Sequence, residues 1–187
     1  MSGRKLCGCA RKPIGGIITP QREVSPRATQ VLEKIAERVR LCTRCVLRET
    51  ATQPVPGLGD IDAKYFIIGE AAGREEDSSG IPFVGLAGRR LNKLLALAGI
   101  PLNDCYITNV CKCRPPNNRT PRKSERLACF FWLKRELTAI KPKSIIVLGS
   151  TALSLFTDVG VRQLHGTQFS FDLPVEKWAE EVKNEDG

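Results

Sequence analysis

Two stretches of this sequence concentrate side chains that can do chemistry. The first is Gly69-Glu70-Ala71-Ala72-Gly73, with Gly80-Ile81-Pro82-Phe83-Val84-Gly85-Leu86-Ala87-Gly88 a few residues on; it sets one carboxylate and one aromatic ring among glycines. The second, Thr108-Asn109-Val110-Cys111-Lys112-Cys113-Arg114-Pro115-Pro116, closes a second apolar run with an amide, two thiols and two cations. A carboxylate can hold or accept a proton, and an amide offers a donor beside an acceptor. Glycines let backbone N–H groups come close to a ligand. Each group also has a plain structural use: Phe83 as core, Asn109 as a turn cap, Glu70 as a solvated loop charge.

The eight cysteines form the other reactive set. Cys42 and Cys45 make a C-x-x-C pair, and Cys113 and Cys129 follow far downstream with fifteen residues between them. Four thiolates at the borders of helices and loops suit a metal, and from spacing alone a structural zinc is the first expectation, with an iron-sulfur cluster as its rival. Cys129 could instead be core on an apolar helix face, and Cys105 and Cys111 read as small buried hydrophobes. Cys7 and Cys9 lie in a basic, Gly- and Pro-rich leader.

The elements that must position these groups follow from periodicity. Tyr65-Phe66-Ile67-Ile68 reads as a buried strand that breaks at Gly69, and Leu91, Leu94, Leu95 and Ala98 as the apolar face of the helix after the glycine loop. That order belongs to an open α/β sheet, whose ligands sit beyond the carboxyl ends of the strands. Tyr106 to Val110 and Ser144 to Gly149 predict two further strands. Ser25-Pro26 predicts the start of a helix through Val31, Leu32, Ile35 and Val39, and Thr120-Pro121 the start of another through Cys129, Phe130, Leu133 and Leu137. Residues 53 to 60 read as a Pro- and Gly-rich connection, and Glu75, Glu76 and Asp77 as solvated loop that caps a short turn. The expected organisation is a mobile leader over residues 1–24, one domain over 25–175 and a charged tail over 176–187.

Composition narrows the partners. With 29 Lys and Arg against 20 Asp and Glu the chain carries a net charge of +9, which favours a polyanion. No secretory pattern opens it and no apolar run approaches the ~20 residues of a membrane span, so a cytoplasmic monomer with reduced thiols is expected. Arg114, Arg119, Arg122 and Lys123 are candidates for phosphate contacts, as are Ser150 and the backbone N–H groups beside it.

Taken together, the two glycine motifs, the segment from Thr108 to Pro121 and the four cysteine positions resemble the family 4 uracil-DNA glycosylases, which carry GEAPG, GxPFVGxAG and TNVVKCRPPxNRxP in that order. The likeness spans about residues 31 to 155. It implies the three-layer α/β/α fold of that family with a short parallel sheet, and a monofunctional enzyme that releases uracil from DNA. It assigns Cys42, Cys45, Cys113 and Cys129 to a 4Fe-4S cluster in place of zinc. Glu70 and Asn109 become the catalytic residues, and Gly69, Ala71, Phe83 and Asn109 the lining of the uracil site. Ala72 stands where the family has proline. The family's last strand and its His-Pro-Ser loop have no counterpart after Leu173, and His165 in Leu164-His165-Gly166 is not expected to replace that histidine. A second expectation is therefore a cluster-bearing fragment, or a polymerase-associated module, that binds uracil or DNA and cleaves weakly or not at all.

Overall fold

A computed structural model describes residues 26–168 and residue 170. The leader with Cys7 and Cys9 and the charged tail lie outside them. The chain runs α1 (Pro26–Arg40), α2 (Leu47–Thr50), β1 (Leu58–Gly59), β2 (Tyr65–Ala71), α3 (Arg74–Ser79), α4 (Leu86–Leu97), β3 (Cys105–Cys111), α5 (Lys123–Ile140), β4 (Ser144–Val147), α6 (Ser150–Leu153) and α7 (Val161–Leu164). The sheet order is β1-β3-β2-β4. β2 is parallel to both β3 and β4, with Ile67 opposite Ile107 and Ile146.

The apolar run of β2 splits by alternation. Phe66 and Ile68 face α1, α5 and α6, where they join Val39, Val110, Leu133, Leu137 and Ala152, while Ile67 faces Leu91 and Leu95 of α4. Helices thus cover both faces of the sheet, which gives the expected three layers. No helix among the described residues is long and apolar enough to cross a membrane.

Several local expectations need correction. β2 continues through Gly69 to Ala71, because Gly69 pairs with Asn109 and Ala71 with Cys111. The connection after residue 53 contributes β1, antiparallel to β3 through Leu58↔Ile107 and Gly59↔Tyr106, a pairing too short to leave a periodicity. Leu94 and Ala98 are exposed, since the sheet takes only the stripe of Gly88, Leu91 and Leu95. Val31 is likewise exposed on α1. α5 begins two residues after Pro121, where the Glu125 carboxylate turns back to accept the Arg122 backbone N–H at 2.7 Å.

Candidate functional site

The parallel strands β2 and β3 end side by side, and their register puts Gly69 opposite Asn109. A Cβ on Gly69 would lie 2.5 Å from Asn109 Oδ1 and 2.5 Å from Phe83 Cζ. The missing side chain is therefore the space into which an amide and an aromatic ring converge from two distant segments. Asn109 is buried and Phe83 half-buried, its ring at the edge of the Ile67, Leu91, Leu95 and Cys105 cluster.

Phe83 is held there against local preference. Its φ of 56° lies in the left-handed region, which costs a bulky residue about 1–3 kcal/mol. Gly88 explains the fit: a Cβ there would sit 1.6 Å from the Phe83 carbonyl oxygen. Only glycine lets α4 start so close to the Phe83 backbone. Glu76 completes the clamp, accepting the Gly73 N–H at 3.0 Å and the Gly85 N–H at 2.7 Å and so tying the two glycine motifs together.

Glu76 and Asp77 are thus buried, and the expectation of a solvated acidic run holds only for Glu75. Asp77 accepts the Thr52 N–H at 2.9 Å and its hydroxyl at 2.7 Å, and the Gln53 amide donates to the Asp77 carbonyl at 3.2 Å. The carboxylates satisfy donors of these loops, of which the Gly85 N–H would otherwise be buried without a partner.

Glu70 projects to the other side of β2 from Gly69 and is half-buried. Thr151, the second residue of α6, donates its hydroxyl to Glu70 Oε2. Ala71, next along β2, pairs with Cys111 and is also half-buried.

Below Asn109 lies a polar network that the sequence reading missed. Lys112 Nζ donates to Glu136 Oε2 at 2.7 Å, to the Asn109 carbonyl at 3.1 Å and to Thr108 Oγ1. Both members of the pair are almost wholly buried, at 1% and 0% side-chain exposure. Glu136 also accepts the Gly57 N–H at 3.3 Å and the Thr108 hydroxyl. Tyr106, which hydrogen-bonds to Glu136, is pushed well above the usual phenol range, by burial first and then by that carboxylate.

Cys42, Cys45, Cys113 and Cys129 come together where the end of α1, the turn before α2, the end of β3 and α5 meet, within one apolar cluster. Among the described residues no three Cys, His, Asp or Glu side chains close around a point as ligands of a single ion would. The donor set is nonetheless all sulfur, and hydrogen bonds already reach it. The Lys112 N–H donates to Cys129 Sγ at 3.2 Å, and Trp132 Nε1 donates to Cys42 Sγ at 3.0 Å. Burial, then the neighbouring thiols of Cys129, Cys45 and Cys42, push Cys113 up to about 12. Cys45 is raised by burial and by Cys129 and Cys42. An all-sulfur donor set with N–H donors already aimed at two of its sulfurs fits an iron-sulfur cluster. Cys105 is a buried small side chain, as expected. Cys111 is buried too, but its thiol donates to Cys129 and so stands at the edge of the cysteine group.

The basic candidates separate. Half-buried Arg114 spends its Nε on Asn118 Oδ1 at 2.7 Å. Arg119 forms a two-pronged pair with Glu125 at 2.8 and 2.6 Å, which holds that carboxyl below its ordinary range. Ser150 is exposed at the start of α6.

An amide and a ring packed against Gly69, with the Glu70 carboxylate next along β2, bring together groups that a flat hydrogen-bonding heterocycle would need. The chain belongs to the uracil DNA glycosylase superfamily, whose family model matches residues 56–182. Within that class it is similar to type-4 uracil-DNA glycosylases. The protein of that name from Thermotoga maritima is 47% identical over 129 residues, covering 69% of this chain and 67% of its own. That from Archaeoglobus fulgidus is 40% identical over 158 residues, covering 81% and 77%.

Proposed function

We propose that this chain is a uracil-DNA glycosylase that hydrolyses the N-glycosidic bond of uracil in DNA, releasing the free base and leaving an abasic site for base excision repair. The observation that carries this reading is the convergence of Asn109 Oδ1 and the Phe83 ring on the missing Cβ of Gly69. A base inside a duplex cannot reach such a slot, so the nucleotide must turn out of the helix at a cost of a few kcal/mol, regained through stacking and edge hydrogen bonds.

In this reading Phe83 provides the stacking face. The Asn109 amide presents a donor and an acceptor to the O4 and N3–H edge of uracil; cytosine carries the reverse pattern there and leaves both buried groups mismatched. Gly69 and Ala71 keep the approach open. As the bond from C1′ to the base breaks, positive charge grows on the sugar and negative charge on uracil. The Glu70 carboxylate offsets the former and holds the water that adds to C1′.

Cys42, Cys45, Cys113 and Cys129 are the residues that would hold a 4Fe-4S cluster. Bound there, it would clamp four segments far apart in sequence, closing loops that are costly to order otherwise. DNA follows the basic surface, with Arg114 and the start of α6 at Ser150 on the phosphate backbone. Arg119 acts chiefly by bracing the loop through Glu125, and reaches phosphate only by sharing that carboxylate. Residues 25–175 are the working unit, acting as a monomer.

The test is release of uracil from a uracil-containing oligonucleotide, read as alkali-labile abasic sites. Asn109→Asp should lower the rate by more than about tenfold while binding to undamaged DNA stays within about twofold, because the change places a second acceptor against uracil O4. An unchanged rate removes Asn109 from the site, and no release by the wild-type chain removes the function.

A further inference from the structure

Glu70 cannot act as assigned unless its carboxylate is held, and the side chain that holds it belongs to no motif named above. Thr151 is 4% exposed and donates its one hydroxyl proton to Glu70 Oε2, across 81 residues of sequence. We propose that Thr151 is the positioning residue for Glu70, fixing one carboxylate oxygen so that the other, Oε1, faces the water and the sugar. This inference rests on the glycosylase reading above.

Thr151 is itself well placed to do this. β4 lies beside β2, with Val147 opposite Ile68, and the Leu148 N–H donates to the Ile68 carbonyl at 2.9 Å, so the chain leaves the sheet level with Glu70. Gly149, at φ 90°, turns it sharply into α6. Behind Thr151, Ser154 Oγ donates to the Thr151 carbonyl at 2.9 Å, and Arg126 Nη1 of α5 donates to Ser154 Oγ at 2.8 Å. The backbone that carries the hydroxyl is therefore anchored from the sheet on one side and, through Ser154, from α5 on the other. A glutamate has several rotatable bonds, and an unanchored carboxylate spreads over rotamers, few of which point at the reacting atoms.

The bland alternative is that the pair merely satisfies a buried hydroxyl. Serine offers the same donor; valine offers the same shape without it. Three variants separate the readings: Thr151→Val, Thr151→Ser and Thr151→Val in a Glu70→Gln background, each assayed for uracil release under single-turnover and steady-state conditions, with thermal unfolding alongside. The expectation is a kcat lowered about 10- to 100-fold in Thr151→Val, the loss for one hydrogen bond to a charged group, with KM within about twofold. Thr151→Ser should return to within about threefold of wild type. In the Glu70→Gln background, the further change should add less than about threefold.

Equal and full losses in both backgrounds would overturn the proposal, since Thr151 would then act independently of Glu70. So would wild-type kcat in Thr151→Val, or a loss in Thr151→Val that Thr151→Ser does not restore. If Thr151→Val unfolds, a kcat in folded Thr151→Ser more than tenfold below wild type overturns it, and one within threefold supports it. A wild-type chain that releases no uracil overturns the functional reading and this inference with it, whereas an active wild type with an indifferent Thr151 overturns the inference alone.

Discussion

Replacing Lys112 by methionine leaves the Glu136 carboxylate without its cation at a site with 0% side-chain exposure. At 2.7 Å between Nζ and Oε2, Coulomb attraction at an effective dielectric near 20 is about 6 kcal/mol. Desolvation of the two ions, several kcal/mol each, offsets most of it, so the intact pair is close to neutral in net terms. Removing one ion forfeits the attraction and keeps the other's desolvation, which costs about 3–5 kcal/mol. The substitution also strips the donor from the Asn109 carbonyl. For a chain of this size that predicts a Tm roughly 10 °C lower, measured by thermal unfolding of the purified protein. Glu136→Leu should cost a similar amount, and the double substitution should cost less than the two singles together by more than about 2 kcal/mol, because it leaves no buried charge. Methionine at position 112 with a Tm within 2 °C of wild type, or strict additivity in the cycle, would mean that the pair is not formed and that Asn109 is held by other means.

Gly69→Ala should abolish uracil release, by more than about 100-fold, while binding to undamaged DNA persists, because the new methyl group would meet Asn109 Oδ1 and Phe83 Cζ at 2.5 Å and push both from their places; an active variant would place the base elsewhere. Glu125 titrates lower in the folded chain than in the unfolded one, mainly through its hydrogen bonds to Arg119, so its contribution is present above about pH 4.3 and lost as the pH falls. Glu125→Gln should therefore lower stability at pH 7 and shrink the stability loss between pH 5 and 3; an unchanged acid limb in urea titrations refutes this. Cys113→Ser should lose iron and sulfide on analysis, and Cys111→Val should keep both. The reverse result would exchange the two residues as ligands.

The placement of the motif residues was legible because it is local or follows from backbone geometry: Gly69 and Gly88 are glycine for close approach, and Asn109 lies near the end of a strand whose apolar run is plain in the sequence. What stayed hidden needs the third dimension. Glu76 and Asp77 look like solvent-facing charges beside Glu75, and only the fold turns two of the three inward to bind the N–H groups of Gly73, Gly85 and Thr52. Lys112 sits between two cysteines with nothing in the sequence to mark it as buried, yet all three ammonium protons are used inside the molecule. Arg119 reads as a phosphate ligand until Glu125, six residues on, takes both prongs of its guanidinium. Each of these polar residues is held by partners that only the fold supplies, so sequence spacing can nominate groups for the site but not those that hold them in place. Thr151 is the sharpest instance: nothing in Gly149-Ser150-Thr151-Ala152 marks its hydroxyl apart from that of Ser150, and burial alone gives one the carboxylate of Glu70 and leaves the other to solvent.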